Sequence, residues 1–195
     1  TFNLRCVWDR DGVNAFVNRA GLILDKIAAA QPDVIGFQEG ILQTIAFLER
    51  NLPDYVIVFN QRNADFGGEG LAFAIRKATT GLVGLDFFWL SETPDVPGSR
   101  FAEQSPCPRV AQCTICRRKS DGKLFRVYNA HLDHVSDSAR ILGIRCLMER
   151  VVADLAKHEL PFFLLGDFNA TPESETIRFC NTYDLAPMVE LTRDI

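Results

Sequence analysis

Apolar residues change their period several times along the chain, and each change marks an element. Phe16, Val17, Ala20, Ile23, Leu24 and Ile27 recur at helical spacing between Asn14 and Ala30, and Gln31-Pro32 stops the run, which predicts an amphipathic helix. Asp33 to Phe37 is then a short, continuously apolar run emerging at Gln38-Glu39, the pattern of a strand buried on both faces. Ile41 to Arg50 predicts a second helix, closed by Asn51-Leu52-Pro53. Five β-rich runs follow, Tyr55 to Phe59, Leu71 to Arg76, Leu82 to Leu90, Val110 to Arg118 and Lys123 to Leu132, separated by Gly, Pro, Asn and Asp clusters. Ser120-Asp121-Gly122 between the last two is a short turn, so those strands should pair as an antiparallel hairpin. Helical spacing returns over Ser138 to Lys157, and Pro161 to Leu165 predicts another doubly buried strand, ending at Gly166-Asp167-Phe168-Asn169. Pro172 suits the first turn of a short helix reaching about Asn181, and Leu185 to Leu191 has the composition of a strand's beginning.

Helices interleaved with buried strands make this an α/β chain. No repeat, low-complexity tract or linker divides it, so one domain over residues 1–195 is expected. No apolar stretch nears the ~18 residues of a membrane helix, which predicts no transmembrane segment and favours a soluble, cytoplasmic protein. A formal charge of −4, from 21 basic and 25 acidic residues, argues against a sequence-independent grip on nucleic acid, which needs many Lys and Arg on phosphates. The cluster Arg117, Arg118, Lys119 reads as an exposed loop beside a strand. The 6 cysteines are scattered, and Cys113 and Cys116 on one strand would point to opposite faces with no second pair to complete a zinc site. Reduced, mostly buried thiols are expected.

Three core strands finish on reactive groups: Glu39 after DVIGFQ, His131 and Asp133 after VYNA, and Asp167 with Asn169 after FFLLG. Taken singly, Glu39 could be an acid favoured at a helix start, Asp167 an Asx turn and His131 a hydrogen-bonded core histidine. Together at strand ends, where side chains are rigidly based yet reach solvent, they point to a site. The set suits metal-assisted phosphoester hydrolysis. Glu39 can hold a hard divalent cation through oxygen, with Mg²⁺ the natural ion and Mn²⁺ a possible substitute. Asp167 can orient or deprotonate the attacking water, while Asn169 and His131 donate to oxygens whose charge grows in the transition state.

The segments DVIGFQE (Asp33 to Glu39), FWLSETPDVPGS (Phe88 to Ser99), NAHLDH (Asn129 to His134) and LLGDFN (Leu164 to Asn169), in this order, resemble the endonuclease/exonuclease/phosphatase superfamily, and most closely its bacterial metal-dependent hydrolases. The resemblance runs from Asn3 to Asn169. It implies a DNase I-like four-layer sandwich of two packed mixed β-sheets flanked by helices. It also implies Glu39 as metal ligand, Asn3 as a polar neighbour on the first strand, His131 near the scissile phosphate, and Asp167 with Asn169 positioning the nucleophile. Asn3, Arg109 and Asp133 are the substrate-binding candidates, and the Glu69 and Ser91 loops are expected in the wall.

The superfamily carries a further Asp-His pair on its last strands, and no such pair occurs here: the histidines are His131, His134 and His158, and beyond Asn169 only Asp184 and Asp194 offer comparable acids. The expectation is therefore a chain incomplete at its C-terminus, whose 195 residues alone hydrolyse phosphoesters poorly. The alternative is a catalytically impaired module that keeps the pocket for an anionic ligand or a partner. The loops Asn60 to Gly70, with Arg62, and Glu92 to Arg109 are long enough to set specificity. The acidic balance favours a small-molecule or lipid-headgroup phosphoester over nucleic acid.

Overall fold

A computed structural model describes residues 1–7 and 11–191. Asp194 lies outside the described residues. Two four-stranded sheets form the centre. The first contains β1 (Phe2–Asn3), β2 (Val34–Gly40), β3 (Tyr55–Gln61) and β4 (Gly70–Arg76) in the order β1-β2-β4-β3. The second contains β5 (Thr80–Trp89), β6 (Val110–Arg118), β7 (Leu124–His131) and β8 (Phe162–Asp167) in sequential order. Helices α1 (Phe16–Ala30) and α2 (Leu42–Asn51) belong with the first sheet, and α3 (Asp137–Lys157) and α4 (Glu175–Asn181) with the second.

Side-chain alternation explains the layering. On β4, Ala72 and Ala74 face the helix side with Ile35 and Phe37 of β2, where Ile23 and Ile27 of α1 and Ile45 and Leu48 of α2 cover them. Phe73 and Ile75 point the other way and meet Cys116 and Val127 between the sheets. Tyr128 and Ala130 of β7 face α3, packing on Ile144, Leu147, Met148 and Val151. The result is the four-layer sandwich of two mixed sheets flanked by helices that the sequence led us to expect. Cys113 packs beneath α3 and Cys116 between the sheets, on opposite faces of β6 as the strand reading required, and all six cysteines are free thiols.

Each sheet contains one parallel pair joined through a helix: β1 to β2 through α1, and β7 to β8 through α3. These βαβ units bring the C-terminal ends of β2, β7 and β8 to one end of the sandwich, the position where open α/β sheets collect ligands. The hairpin β6–β7 is antiparallel as expected. No helix among the described residues is long and apolar enough to cross a membrane.

Three local expectations need correction. Strand β8 is not doubly buried: among the described residues it stands at the edge of its sheet, and Phe163 is 48% exposed while stacking edge-on against Phe125. An apolar run does not distinguish a central strand from an edge strand whose second face is half covered. Pro172 lies in the turn before α4 rather than in its first turn, because Ser174 is the N-cap and accepts the Ile177 N–H at 3.3 Å. Leu185 to Leu191 forms no strand, and Leu185, Val189 and Leu191 are exposed.

The sheets approach closely at Gly36. A Cβ there would lie 2.2 Å from Leu165 Cδ1 and 2.8 Å from Asn129 Cγ. Around it a polar layer crosses the interior: Gln38 donates to Asn129 Oδ1 at 2.6 Å, Asn129 donates back to the Phe37 carbonyl at 3.0 Å, and Gln112 donates to Asn60 Oδ1 at 2.9 Å. Gly36→Ala should therefore destabilise the fold by about 1–3 kcal/mol through overpacking, read as a lower urea midpoint at unchanged slope. Gly81→Ala, whose Cβ meets nothing nearer than 3.9 Å, should stay within about 0.5 kcal/mol of the parent.

Candidate active site

Glu39 owes its position to a β-bulge. Between Phe37 and Gly40 the pairing of β2 with β4 slips from Ala72 to Gly70, so β2 carries one extra residue. Simple alternation would send Glu39 after Ile35 and Phe37 onto the helix-covered face. Instead Glu39 adopts a left-handed backbone, φ 58°, and its carboxylate turns towards the strand ends. The chain then enters α2, whose first turn is closed when the Ile41 N–H donates to Thr44 Oγ1 at 3.0 Å.

The carboxylate is held from the N-terminal segment. Asn3 Nδ2 donates to Glu39 Oε1 and to Asp167 Oδ2, both at 2.8 Å, and the Cys6 N–H donates to Glu39 Oε2 at 2.7 Å. The Arg5 N–H donates to Asn3 Oδ1 at 2.7 Å, which fixes the amide's orientation and aims both of its hydrogens at the acids. Asp167 reaches the same point from β8, in register with His131 on β7. Its other oxygen accepts the Asn169 N–H at 3.0 Å. The Asx turn and the functional placement thus coexist, one on each oxygen. Asn169, left-handed at φ 49°, donates its side-chain amide to the Leu132 carbonyl at 3.0 Å.

The sequence-predicted Glu39, His131 and Asp167 therefore meet: one ligand atom from each lies within 4.8 Å of the others. His131 Nε2 stands 4.0 Å from Asp167 Oδ2. The donor set fits a hard divalent cation, because two carboxylates project from different sheets and each oxygen keeps lone-pair capacity after its single N–H bond.

Environment separates the charge states. Burial, with Arg109 next in importance, depresses His131 to about 3 against the opposing pull of Asp167, so the imidazole is neutral at physiological pH. Burial pushes the Asp167 carboxyl up, but the Asn3 amide, the Asn169 N–H, His131 and Arg109 outweigh it and leave the pKa below the usual carboxylate value. The Cys6 thiol is driven up to about 12 by burial and by Glu69, so it stays protonated beside the acids.

The remaining candidates divide. Arg109 is buried and lines a pocket with His131 and Arg62. Asp133 is not available to substrate: Oδ1 accepts the N–H groups of Val135 and Ser136, at 2.9 and 2.8 Å, and Oδ2 accepts from Ser105 Oγ and N–H. A carboxylate two residues beyond a catalytic-looking histidine turns out to shape the entry to α3. Glu69 pairs with the pocket-lining Arg62 at 2.7 Å. The buried Ser91 hydroxyl is engaged within its own loop, 2.7 Å from Ser99 Oγ and accepting the Thr93 N–H at 3.0 Å. The sequence reading missed the Cys6 N–H, which has no side-chain signature, and the contact of exposed His134 Nδ1 with Arg109 Nη2 at 2.6 Å. It also missed Gln38 and Asn129, whose signal was an amide at an inward position of an apolar strand.

Two facing mixed sheets with an acidic, amide-bridged cluster at their shared end define a DNase I-like sandwich with a metal-competent centre. The family model described as endonuclease/exonuclease/phosphatase family matches residues 1–192, and the chain belongs to that family. An endonuclease/exonuclease/phosphatase protein from Bacteroides vulgatus is similar in structure, with TM-score 0.86 and 27% identity over 93% of this chain and 69% of that one. The mannosyl-6-phosphatase of Bacteroides thetaiotaomicron gives TM-score 0.85 and 28% identity over 90% of this chain and 66% of that one. In sequence, protein L388 of Acanthamoeba polyphaga mimivirus is 29% identical over 160 residues, 78% of this chain. The chain spans 58% of that relative's length.

Asn3→Ala removes the hydrogen bonds that lower Asp167 and leaves two carboxylates facing each other. The Asp167 carboxyl pKa should rise, measured by ¹³C NMR titration of the metal-free protein, with Asn3→Gln giving a smaller rise.

Proposed function

We propose that the protein is a divalent-metal-dependent phosphoester hydrolase acting at the Glu39–His131–Asp167 cluster. The observation that carries this reading is the convergence of two carboxylates and a neutral imidazole from separate strands around one amide. A cation held by Glu39, Mg²⁺ or in its place Mn²⁺, would supply Lewis-acid charge for a phosphoryl oxygen.

The chain's own residues do the rest. Asp167 is ionised at neutral pH but is a weak base, so its main part is to orient the attacking water and accept its proton as the oxygen bonds to phosphorus. Asn169 holds Asp167 Oδ1 through its backbone and ties this turn to β7 through its side chain, which makes it a positioning residue. Neutral His131 offers an N–H to a phosphoryl oxygen without competing with the cation. Asn3 keeps the two acids aligned, Arg109 binds substrate, and Asp133 supports the loop that Arg109 packs on. As the new P–O bond forms, the ester P–O bond breaks, and the leaving oxygen takes a proton from solvent. A small-molecule or lipid-headgroup ester fits the chain's acidic balance better than a nucleic acid.

Binding and chemistry should separate by mutation. Glu39→Gln is expected to weaken Mg²⁺ affinity, read by titration calorimetry, whereas Asp167→Asn should lower kcat roughly 10²–10⁴-fold with a much smaller change in metal affinity. Excess EDTA should abolish turnover and added Mg²⁺ or Mn²⁺ should restore it. Metal-independent hydrolysis, or turnover indifferent to both substitutions, would refute the assignment. A protein that binds Mg²⁺ and a phosphoester together without turning over would be the impaired module instead.

A further inference from the structure

A second polar feature adjoins the acidic cluster on the far side of His131. Arg62 and Arg109 line a narrow pocket with His131, Leu71, Pro108 and Val110, with room for about one oxygen atom or water. Each arginine is anchored at one end. Arg62 Nη1 pairs with Glu69 at 2.7 Å, and its backbone carbonyl accepts the Trp89 indole N–H at 2.6 Å, which pins the β3–β4 hairpin. Arg109 Nη2 meets His134, and its Nε lies 3.8 Å from Asp133, too far for a hydrogen bond. After these contacts Arg62 Nε and Arg109 Nη1 are buried with no acceptor among the described residues, and the Arg109 side chain is only 5% exposed. Rigid, dehydrated guanidinium N–H groups beside a phosphoryl-transfer centre are built for an anionic oxygen.

We propose that Arg62 and Arg109 receive a terminal oxygen of the substrate's phosphoryl group, and that this makes the site selective for phosphomonoesters over phosphodiesters. The proposal rests on the hydrolase reading above. Among the described residues the cation position at Glu39, the His131 N–H and the arginine pocket offer three separate places, and a phosphomonoester has three terminal oxygens to fill them. A phosphodiester has two, so its esterified oxygen and attached carbon would face one receptor. The pocket has no room for that carbon, and its apolar walls leave the guanidinium N–H groups without another acceptor. Sites built around buried donors discriminate strongly against ligands that leave those donors unpaired. In hydrolysis, water adds to phosphorus, the alcohol leaves with a proton, and inorganic phosphate is the product, so phosphate itself is a probe of the pocket.

The test uses the protein with Mg²⁺ at pH 8. Titration calorimetry with inorganic phosphate and with dimethyl phosphate should show phosphate binding at least tenfold tighter. Arg62→Gln and Arg109→Gln should each erase most of that preference, with Arg109→Lys and circular dichroism guarding against loss of fold. In parallel, the ratio of kcat/KM for 4-nitrophenyl phosphate to that for bis(4-nitrophenyl) phosphate should fall at least tenfold in Arg62→Gln, while Glu39→Gln lowers both rates together. Equal binding of the two anions, or an unchanged ratio in folded Arg62→Gln, overturns the proposal and leaves the hydrolase reading intact. Arginine-dependent phosphate preference without hydrolysis of either ester would instead sustain the subsite and defeat the hydrolase reading.

Discussion

Two carboxylates drawn close enough to share one amide repel each other, and Asn3 is what makes that approach tolerable. Its two N–H groups divide between Glu39 and Asp167, one acid from each sheet, so a single side chain bridges the halves of the sandwich at their common end. The amide can do this only because its own oxygen is fixed by the Arg5 N–H, and Arg5 can present that N–H only by turning left-handed at φ 56°. The same turn delivers the Cys6 N–H to Glu39. Non-glycine residues with positive φ thus stand on three approaches to the site, Arg5, Glu39 and Asn169. Such conformations persist where the surroundings over-determine them, and here the surroundings are the hydrogen bonds of the cluster itself.

That bridge would be useless without a fixed registry between the sheets. Slipping a strand by one residue would turn every side chain over, sending Asn129 and His131 beneath α3 and Tyr128 into the interior. Gln38 and Asn129 oppose such a slip. Each is buried and each satisfies the other, while Gly36 lets the sheets come close enough for the bond to form. An apolar pair in the same place would tolerate several alignments; a buried amide pair tolerates one, because misalignment leaves polar groups unpaired. The polar interior layer therefore positions the site, and His131 inherits its location from Asn129 two residues earlier on the same face.

Much of this was legible in the sequence because period and punctuation are local signals. The helix from Phe16 ends where Gln31-Pro32 said it would, and β6 has the bounds its apolar run suggested. Glu39, His131 and Asp167 were legible as strand-end polar groups. The bulge that aims Glu39 was not, since it is a property of the pairing between β2 and β4 rather than of either segment. Nor was the role of Asp133: a carboxylate that caps a turn and one that touches substrate look alike until the N–H groups of Val135 and Ser136 are seen to close on it. The Ser91 hydroxyl is likewise spent within its own loop, which spacing alone does not show. The partners of Arg109 lie too far along the chain for spacing to pair them, and backbone donors such as Cys6 leave no trace in composition.

Charge in the site is organised in neighbouring pairs, and this ties the electrostatics to the geometry. Arg62 stands with Glu69 and Arg109 beside Asp133, so two cations are brought near His131 without leaving an unbalanced field behind them. Their acids come from behind, from the β3–β4 hairpin and from the entry to α3, which leaves the forward N–H groups uncommitted. On the other side of the imidazole, Glu39 and Asp167 face each other through an amide, and among the described residues no Lys or Arg pairs with either. The neutral His131 separates these regions: protonating it would add charge to a side already cationic, and burial with Arg109 opposes that. A bound cation would complete the acidic half and an anionic oxygen the basic half. On the proposed reading both places are set by the fold in advance, so little reorganisation would remain for the moment of reaction.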